Sequence, residues 1–139
     1  MNNKRGYFGL AFYEPKFEEN IGMAIRSAKC FNADFIAIIG KRYKKQVTNT
    51  TLTERHIPLY EYRNLEDFLD HIPFGCEIVG IEIDGRNIKG YIHPERAVYI
   101  LGGEDRMLPS EIKQRIKIDT QHCLNMSVAA SIILFHRSL

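Results

Sequence analysis

The sequence predicts an α/β domain: a mostly parallel sheet with helices on both faces. Three observations carry this expectation. Short apolar runs, Tyr7–Tyr13 (YFGLAFY), Phe35–Ile39 (FIAII), Glu77–Ile83 (EIVGIEI) and Ala97–Leu101 (AVYIL), have the length and the β-branched or aromatic content of strands. Segments with apolar residues at helical spacing lie between them, and such alternation is the mark of a parallel sheet. The 139 residues hold no repeat, low-complexity tract or Ser/Gly-rich linker, so residues 1–139 read as one domain.

Taken in order, Tyr7–Tyr13 is a buried strand. Ile21, Ala24, Ile25, Ala28 and Phe31 recur at helical spacing, so Glu19–Phe31 is an amphipathic helix. Phe35–Ile39 is the second strand, closed by Gly40, and Leu59–Tyr62 is a short third. Asn64 caps a helix running to Ile72 and stopped by Pro73, with Asp67 at the fourth position of a capping box. Two strands follow, Glu77–Ile83 and Ala97–Leu101. Pro109–Arg115 is expected to form a short helix with Pro in its first turn, and Ile116–Ile118 a brief strand. The last element, Ser127–Phe135, is a helix with almost no polar face. A helix apolar all round needs cover on every side. The sheet supplies one side and a second copy of the chain is the expected other; a central core helix in a monomer is the alternative.

Hydrophobic residues make up 45% and charged residues 26%, which excludes disorder and collagen-like structure. The net charge of +2 is too small to establish nucleic-acid binding alone. No apolar run nears the ~18–20 residues that cross a bilayer, so no membrane partner is expected. Neither Met1–Gly6 nor the aromatic run after it has the pattern of a secretory leader. Cys30, Cys76 and Cys123 are odd in number and far apart, which suits a reducing, cytoplasmic setting and reads as buried small hydrophobes. The five histidines show no metal-ligand spacing, so no metal is expected.

Ligands of such sheets bind beyond the carboxyl ends of the strands, which points to the loops after Tyr13, Ile39, Ile83 and Leu101. Four patterns near them could carry chemistry. In Asn20-x-Gly22-x-x-x-Arg26, a helix start could hold an anion such as phosphate. Six positions turn a helix by about 240°, so the two side chains share a face only if Asn20 is a cap. The plain alternative is a cap plus a solvated arginine. In Leu101-Gly102-Gly103-Glu104-Asp105-Arg106-Met107-Leu108-Pro109, two glycines after a strand allow a sharp turn and close approach to a ligand, or make an ordinary turn. In Cys123-Leu124-Asn125-Met126-Ser127, Ser127 and less plainly Asn125 could cap the final helix. Lys41, Arg42, Lys44 and Lys45, with Tyr43 between them, could bind phosphates and stack a base, or form a solvated face. Lys4, Arg5, Arg55 and His56 could extend that patch.

Together and in this order, three of these patterns resemble the SpoU/TrmH branch of the SPOUT RNA methyltransferases. Phe12-Tyr13-Glu14-Pro15 with Asn20-x-Gly22-x-x-x-Arg26 looks like the first motif. Tyr99-Ile100-Leu101-Gly102-Gly103-Glu104 with Leu108-Pro109 resembles the second, and Ile116-Lys117-Ile118 with Leu124–Ala130 the third. The nearest subgroup is the tRNA wobble-position ribose 2′-O-methyltransferases. The resemblance implies S-adenosyl-L-methionine as donor, S-adenosyl-L-homocysteine as product, and RNA as substrate, tRNA before rRNA. It also implies a C-terminal trefoil knot and a homodimer through the last helix, with the site built across the interface. Gly102, Ile118 and Leu124 match cofactor positions, and Ile81 and Glu82 lie near the expected pocket. Asn20, Arg26, Glu104 and Asn125 match the catalytic set, with Ser127 in support. Three positions depart from the pattern. Met107 stands where the family has Gly, Asp105 where Gly or Thr is usual, and Cys123 where Ser is usual. Met107 is expected to reshape the target-nucleotide side of the pocket, and Cys123 to lose a polar contact. These departures motivate a second reading, a knotted RNA-binding protein without turnover. A generic α/β nucleotide-binding module is a third, though no Gly-rich phosphate loop follows the first strand.

Overall fold

The computed structural model describes residues 6–41, 57–103 and 107–139. The elements are β1 (Tyr7–Tyr13), α1 (Glu18–Cys30), β2 (Phe35–Ile39), β3 (Leu59–Tyr62), α2 (Leu65–Leu69), β4 (Glu77–Asn87), β5 (Arg96–Gly102), β6 (Arg115–Lys117) and α3 (Met126–Ser138). The strands form one six-stranded sheet in the order β3-β2-β1-β5-β4-β6, with every described pair parallel. β1, β2 and β5 at its centre are buried almost throughout, which is why their sequences are continuous apolar runs.

Side chains that alternate along each strand feed two cores. On one face Leu10, Phe12, Ile36, Ile38, Val79 and Tyr99 pack under α1 and α3. On the other Ala11, Ala37, Ile39, Val98 and Ile100 pack under Leu65 and Phe68 of α2 and under Leu108 and Ile112. Helices therefore cover both faces, as expected.

Two expected elements change form. Residues 109–114 make no helix; a single turn bond runs from Ile112 N–H to the Pro109 carbonyl at 3.0 Å. The carbonyls of Leu108, Pro109 and Ile112 instead accept from the Arg115 guanidinium at 3.1, 2.7 and 2.7 Å. So short a segment gains little from helix bonds to offset the cost of nucleation. β4 runs past its expected end because it bulges. Ile81 and Arg86 both lie opposite Ile116, and residues 82–85 loop out between them. Gly85 permits this: a Cβ there would stand 2.6 Å from the Ile116 backbone nitrogen.

The helix ends explain their own boundaries. Asn64 accepts from Asp67 N–H at 2.8 Å, and the Asp67 carboxylate accepts in return from Arg63 N–H at 3.0 Å, one residue before the expected partner. α2 ends at Leu69, three residues short of expectation. At the C-terminal end of α3 the buried Arg137 donates to the Pro94 and Glu95 carbonyls at 2.6 and 2.9 Å and to the Tyr99 hydroxyl at 2.9 Å. His93 bridges Tyr99 and His136, at 2.7 Å to each. No helix among the described residues is long and apolar enough to cross a membrane.

Candidate active site

Beside the β4 bulge and beyond the carboxyl ends of β5 and β6 lies a cleft of about 560 Å³. Three stretches that are distant in sequence form its walls: Ile81–Ile83 in the β4 bulge, Leu101–Gly103 with Met107 after β5, and Lys117–Leu124 after β6. Each expected cofactor residue lines it: Ile81, Glu82, Gly102, Ile118 and Leu124. Of the four loops singled out from sequence, the one after Leu101 contributes, through Gly102, Gly103 and Met107, whereas the lining from β4 stops at Ile83 and takes nothing from the loop after it. Those after Tyr13 and Ile39 do not line the cleft either, and residues 119–122, which sequence patterns alone left as a connection, do.

The walls are held from behind. Glu82 Oε2 accepts from Leu108 N–H at 2.8 Å, which ties the β4 bulge to the chain leaving β5. Gly103 N–H donates to the Tyr13 carbonyl at 3.1 Å. Glu14, next to it, has φ +46 although it is not glycine and precedes proline. Both features disfavour that conformation, so the first-motif loop stores strain beside the second motif.

The first and third motifs meet directly. Asn125 caps α3: its Oδ1 accepts from Ser127 N–H at 2.8 Å and Ser127 Oγ at 2.6 Å. Those bonds aim its Nδ2 at Asn20 Oδ1, 3.0 Å away. Asn20 is 5% exposed, and Ser127 is also buried. The cap is thus Asn125, and Ser127 positions it, reversing the preferred assignment. Asn125 sits between Leu124 and Met126, which both line the cleft.

Two expectations about α1 are corrected. Asn20 is no cap: the helix begins at Glu18 after an extended Phe17, and Asn20 N–H donates to the Phe17 carbonyl at 3.2 Å. Arg26 consequently lies on another face. It is exposed, lines no part of the cleft, and engages no hydrogen bond or ion pair among the described residues. Within one chain the structure joins Asn20 to Asn125 but brings Arg26 to neither.

The remaining candidates divide. Lys41 Nζ donates to the Lys16 carbonyl at 3.1 Å, beside the loop after β1. Arg42, Lys44, Lys45 and Glu104 lie outside the described residues, as do Lys4, Arg5, Arg55 and His56. Met107 is 52% exposed at the cleft edge. The cysteines are not buried: Cys123 is exposed in the cleft lining and Cys30 at the end of α1, while Cys76 is half-buried. Burial pushes the Cys76 thiol above its usual range, and does the same to the Tyr91 phenol; both stand away from the cleft lining. No group of three or more potential metal ligands occurs among the described residues.

Sequence reasoning missed Arg115, which pins the chain behind Met107, and Lys117 in the lining itself. Neither carries a spacing signal.

Comparison with known proteins gives the family and the fold. The sequence model of the SpoU rRNA Methylase family matches residues 7–135. A protein of Archaeoglobus fulgidus, described as an uncharacterized tRNA/rRNA methyltransferase, is 26% identical over a match covering 85% of this chain. The match spans 58% of that protein's length. Among solved structures, the SpoU methyltransferase AviRb of Streptomyces viridochromogenes superposes with a TM-score of 0.84 at 19% identity, covering 98% of this chain and 60% of its own. An AdoMet-bound rRNA methyltransferase of Sinorhizobium meliloti gives 0.80 at 22% identity, covering 99% and 57%. A structure described as giving insights into the 2-OH methylation of C/U34 on tRNA gives 0.79 at 19% identity, covering 99% and 92%.

Proposed function

The chain belongs to the SpoU rRNA Methylase family, and from that premise we propose that it transfers a methyl group from S-adenosyl-L-methionine to a ribose 2′-hydroxyl of RNA, with tRNA the favoured substrate. The observation that carries this reading is the convergence of Gly102, Ile118 and Leu124 on one cleft that borders the Asn20–Asn125 pair. The residues present fit the donor. A cleft of about 560 Å³ with Ile81, Leu101, Ile118, Leu124 and Met126 in its walls suits a nucleoside with an amino-acid tail. Bound there, the sulfonium supplies an electrophilic methyl carbon.

In this reading the ribose 2′-oxygen would take the methyl group as the donor's carbon–sulfur bond broke, and the hydroxyl proton would leave to solvent. A ribose hydroxyl is a weak nucleophile near neutral pH and must be polarised. Arg26 does not take the proton, because a guanidinium stays charged. It holds the neighbouring phosphate and stabilises the charge growing on the 2′-oxygen. Glu104 is the further member of this proposed catalytic set. Asn125, fixed by Ser127, orients the ribose. Lys41, Arg42, Lys44 and Lys45 grip phosphates further along the RNA.

Arg26 reaches the site from a second copy of the chain. Support comes from its exposed position and from α3, where Val128, Ile132, Phe135 and Leu139 repeat at spacings of four, three and four. That spacing places them on one stripe, and three of the four are exposed. A dimer would cover the stripe and double the footprint of a chain whose net charge is only +2. In the same reading the C-terminal part is threaded as a trefoil knot, which fits an α3 whose last turn is bonded to residues 93–95.

The test is mass spectrometry of tRNA and rRNA nucleosides from cells with and without the gene. Loss of one 2′-O-methylated tRNA nucleoside is expected; an unchanged set overturns the reading. Arg26→Ala should abolish transfer while S-adenosylmethionine still binds. Mixing Arg26→Ala with cofactor-blind Leu124→Arg chains should restore transfer, since one mixed site receives the intact Arg26 of the partner subunit.

A further inference from the structure

We propose that Arg115 is a positioning residue for the methyl donor: it clamps residues 108–112 against the β4–β6 edge and so presets one wall of the cleft. The inference rests on the donor reading above, and its test separates the two. Arg115 opens β6, and its side chain is 13% exposed. Nε donates to the Ile112 carbonyl at 2.7 Å, and Nη2 donates to Leu108 and Pro109 carbonyls at 3.1 and 2.7 Å. Nη1 stands 3.4 Å from the more exposed Asp84 carboxylate. The N–H of the same residue, Leu108, is held by Glu82. Beneath lies Gly80, where a Cβ would stand 2.8 Å from Ile112 Cγ2 and 3.0 Å from Leu108 Cδ1.

The segment therefore has no helical ladder and is held by its surroundings. Its carbonyls are satisfied by one planar, permanently charged fork, which lysine does not reproduce. Met107 precedes the clamped segment directly, and Ile118 lies three residues after Arg115; both line the cleft. One side chain thus fixes two walls relative to each other, and a preset wall spares the donor the cost of ordering it.

The experiment uses the full chain, S-adenosylhomocysteine as calorimetric probe, and backbone amide exchange without ligand. Arg115→Met and Arg115→Lys are each expected to weaken binding about tenfold and to speed exchange at Ile112 by at least as much, whereas Asp84→Asn changes either by less than about twofold. In transfer assays KM for the donor rises and kcat at saturating donor holds. Arg115→Lys keeps the charge and covers the case in which Arg115→Met fails to fold. Unchanged exchange and affinity in Arg115→Met, full affinity in Arg115→Lys, or an Asp84→Asn defect equal to that of Arg115→Met would each overturn the clamp. No probe binding by the unaltered chain overturns the donor reading instead, and the exchange result still judges the clamp.

Discussion

The two ends of α3 are both tied down by polar side chains, yet in opposite ways. At the first turn the ties are neutral: an exposed Asn125 caps the helix, receives two bonds from Ser127 and gives one to Asn20. At the last turn a buried guanidinium is wrapped by two carbonyls, the Tyr99 hydroxyl and the Phe8 ring, 4.4 Å from its centre. The first arrangement leaves an amide beside the cleft. The second encloses its charge, and Arg137 is not part of the cleft lining. One short helix thus separates its chemical end from its structural end, and variants at the two ends should fail differently.

The largest effect is expected at the enclosed end. Arg137→Leu takes one donor each from the half-buried Pro94 carbonyl, the Glu95 carbonyl and the buried Tyr99 hydroxyl; Glu95 keeps the Tyr7 N–H and Tyr99 keeps His93, so the loss is about 3 kcal/mol in all. Thermal unfolding should fall by roughly 10 °C, the shift that about 3 kcal/mol gives for a domain of this size. Transfer per folded molecule should be unchanged; a lost rate without lost stability would break the comparison. At the other end, Asn125→Ala should lower kcat about 100-fold at a cost of only about 1 kcal/mol in stability, the usual worth of a cap. Asn125→Asp keeps the cap acceptor and loses the amide donor, so it should recover stability and not rate. Between the ends, Ser131 donates to the Ser127 carbonyl and meets Ser27 Oγ at 2.7 Å. Ser131→Ala should cost about 1 kcal/mol or less in denaturant unfolding and leave both ends working.

The smallest effect lies outside α3, at the start of α2. The Arg63 N–H bond, with the Arg63 charge nearby, holds the Asp67 carboxyl below its usual range. A lowered folded-state value gives stabilisation that is present above the ordinary carboxylate range and lost as pH falls through the folded value. Asp67→Asn should flatten the acid limb of the stability profile slightly, and a larger loss than that of Ser131→Ala would be unexpected.

How far the sequence revealed this arrangement depended on the range of the interactions. Tyr7–Tyr13 and Phe35–Ile39 were legible to the residue, because a strand buried on both faces must be apolar throughout. Residues 109–115 were misread because what decides their form is a guanidinium from the next strand, not their own propensity. Asn20 was misread as a cap because asparagine suits caps, while here its side chain turns inward to a residue 105 positions away. The Arg137–Tyr99–His93–His136 cluster carried no signal, since Arg137 meets Tyr99 across 38 residues and His136 meets His93 across 43, without a spacing rule. The cleft residues were found through family resemblance, and spacing alone had left each pattern with an ordinary structural explanation.

A crystal structure of the chain with S-adenosylhomocysteine tests the central claim most directly. The account predicts the ligand between Ile81, Gly102, Ile118 and Leu124, with Asn125 at its sulfur end and Arg26 of the partner subunit facing it. A saturated crystal with the ligand held elsewhere, or with Arg26 turned from the cleft in both copies, would contradict it.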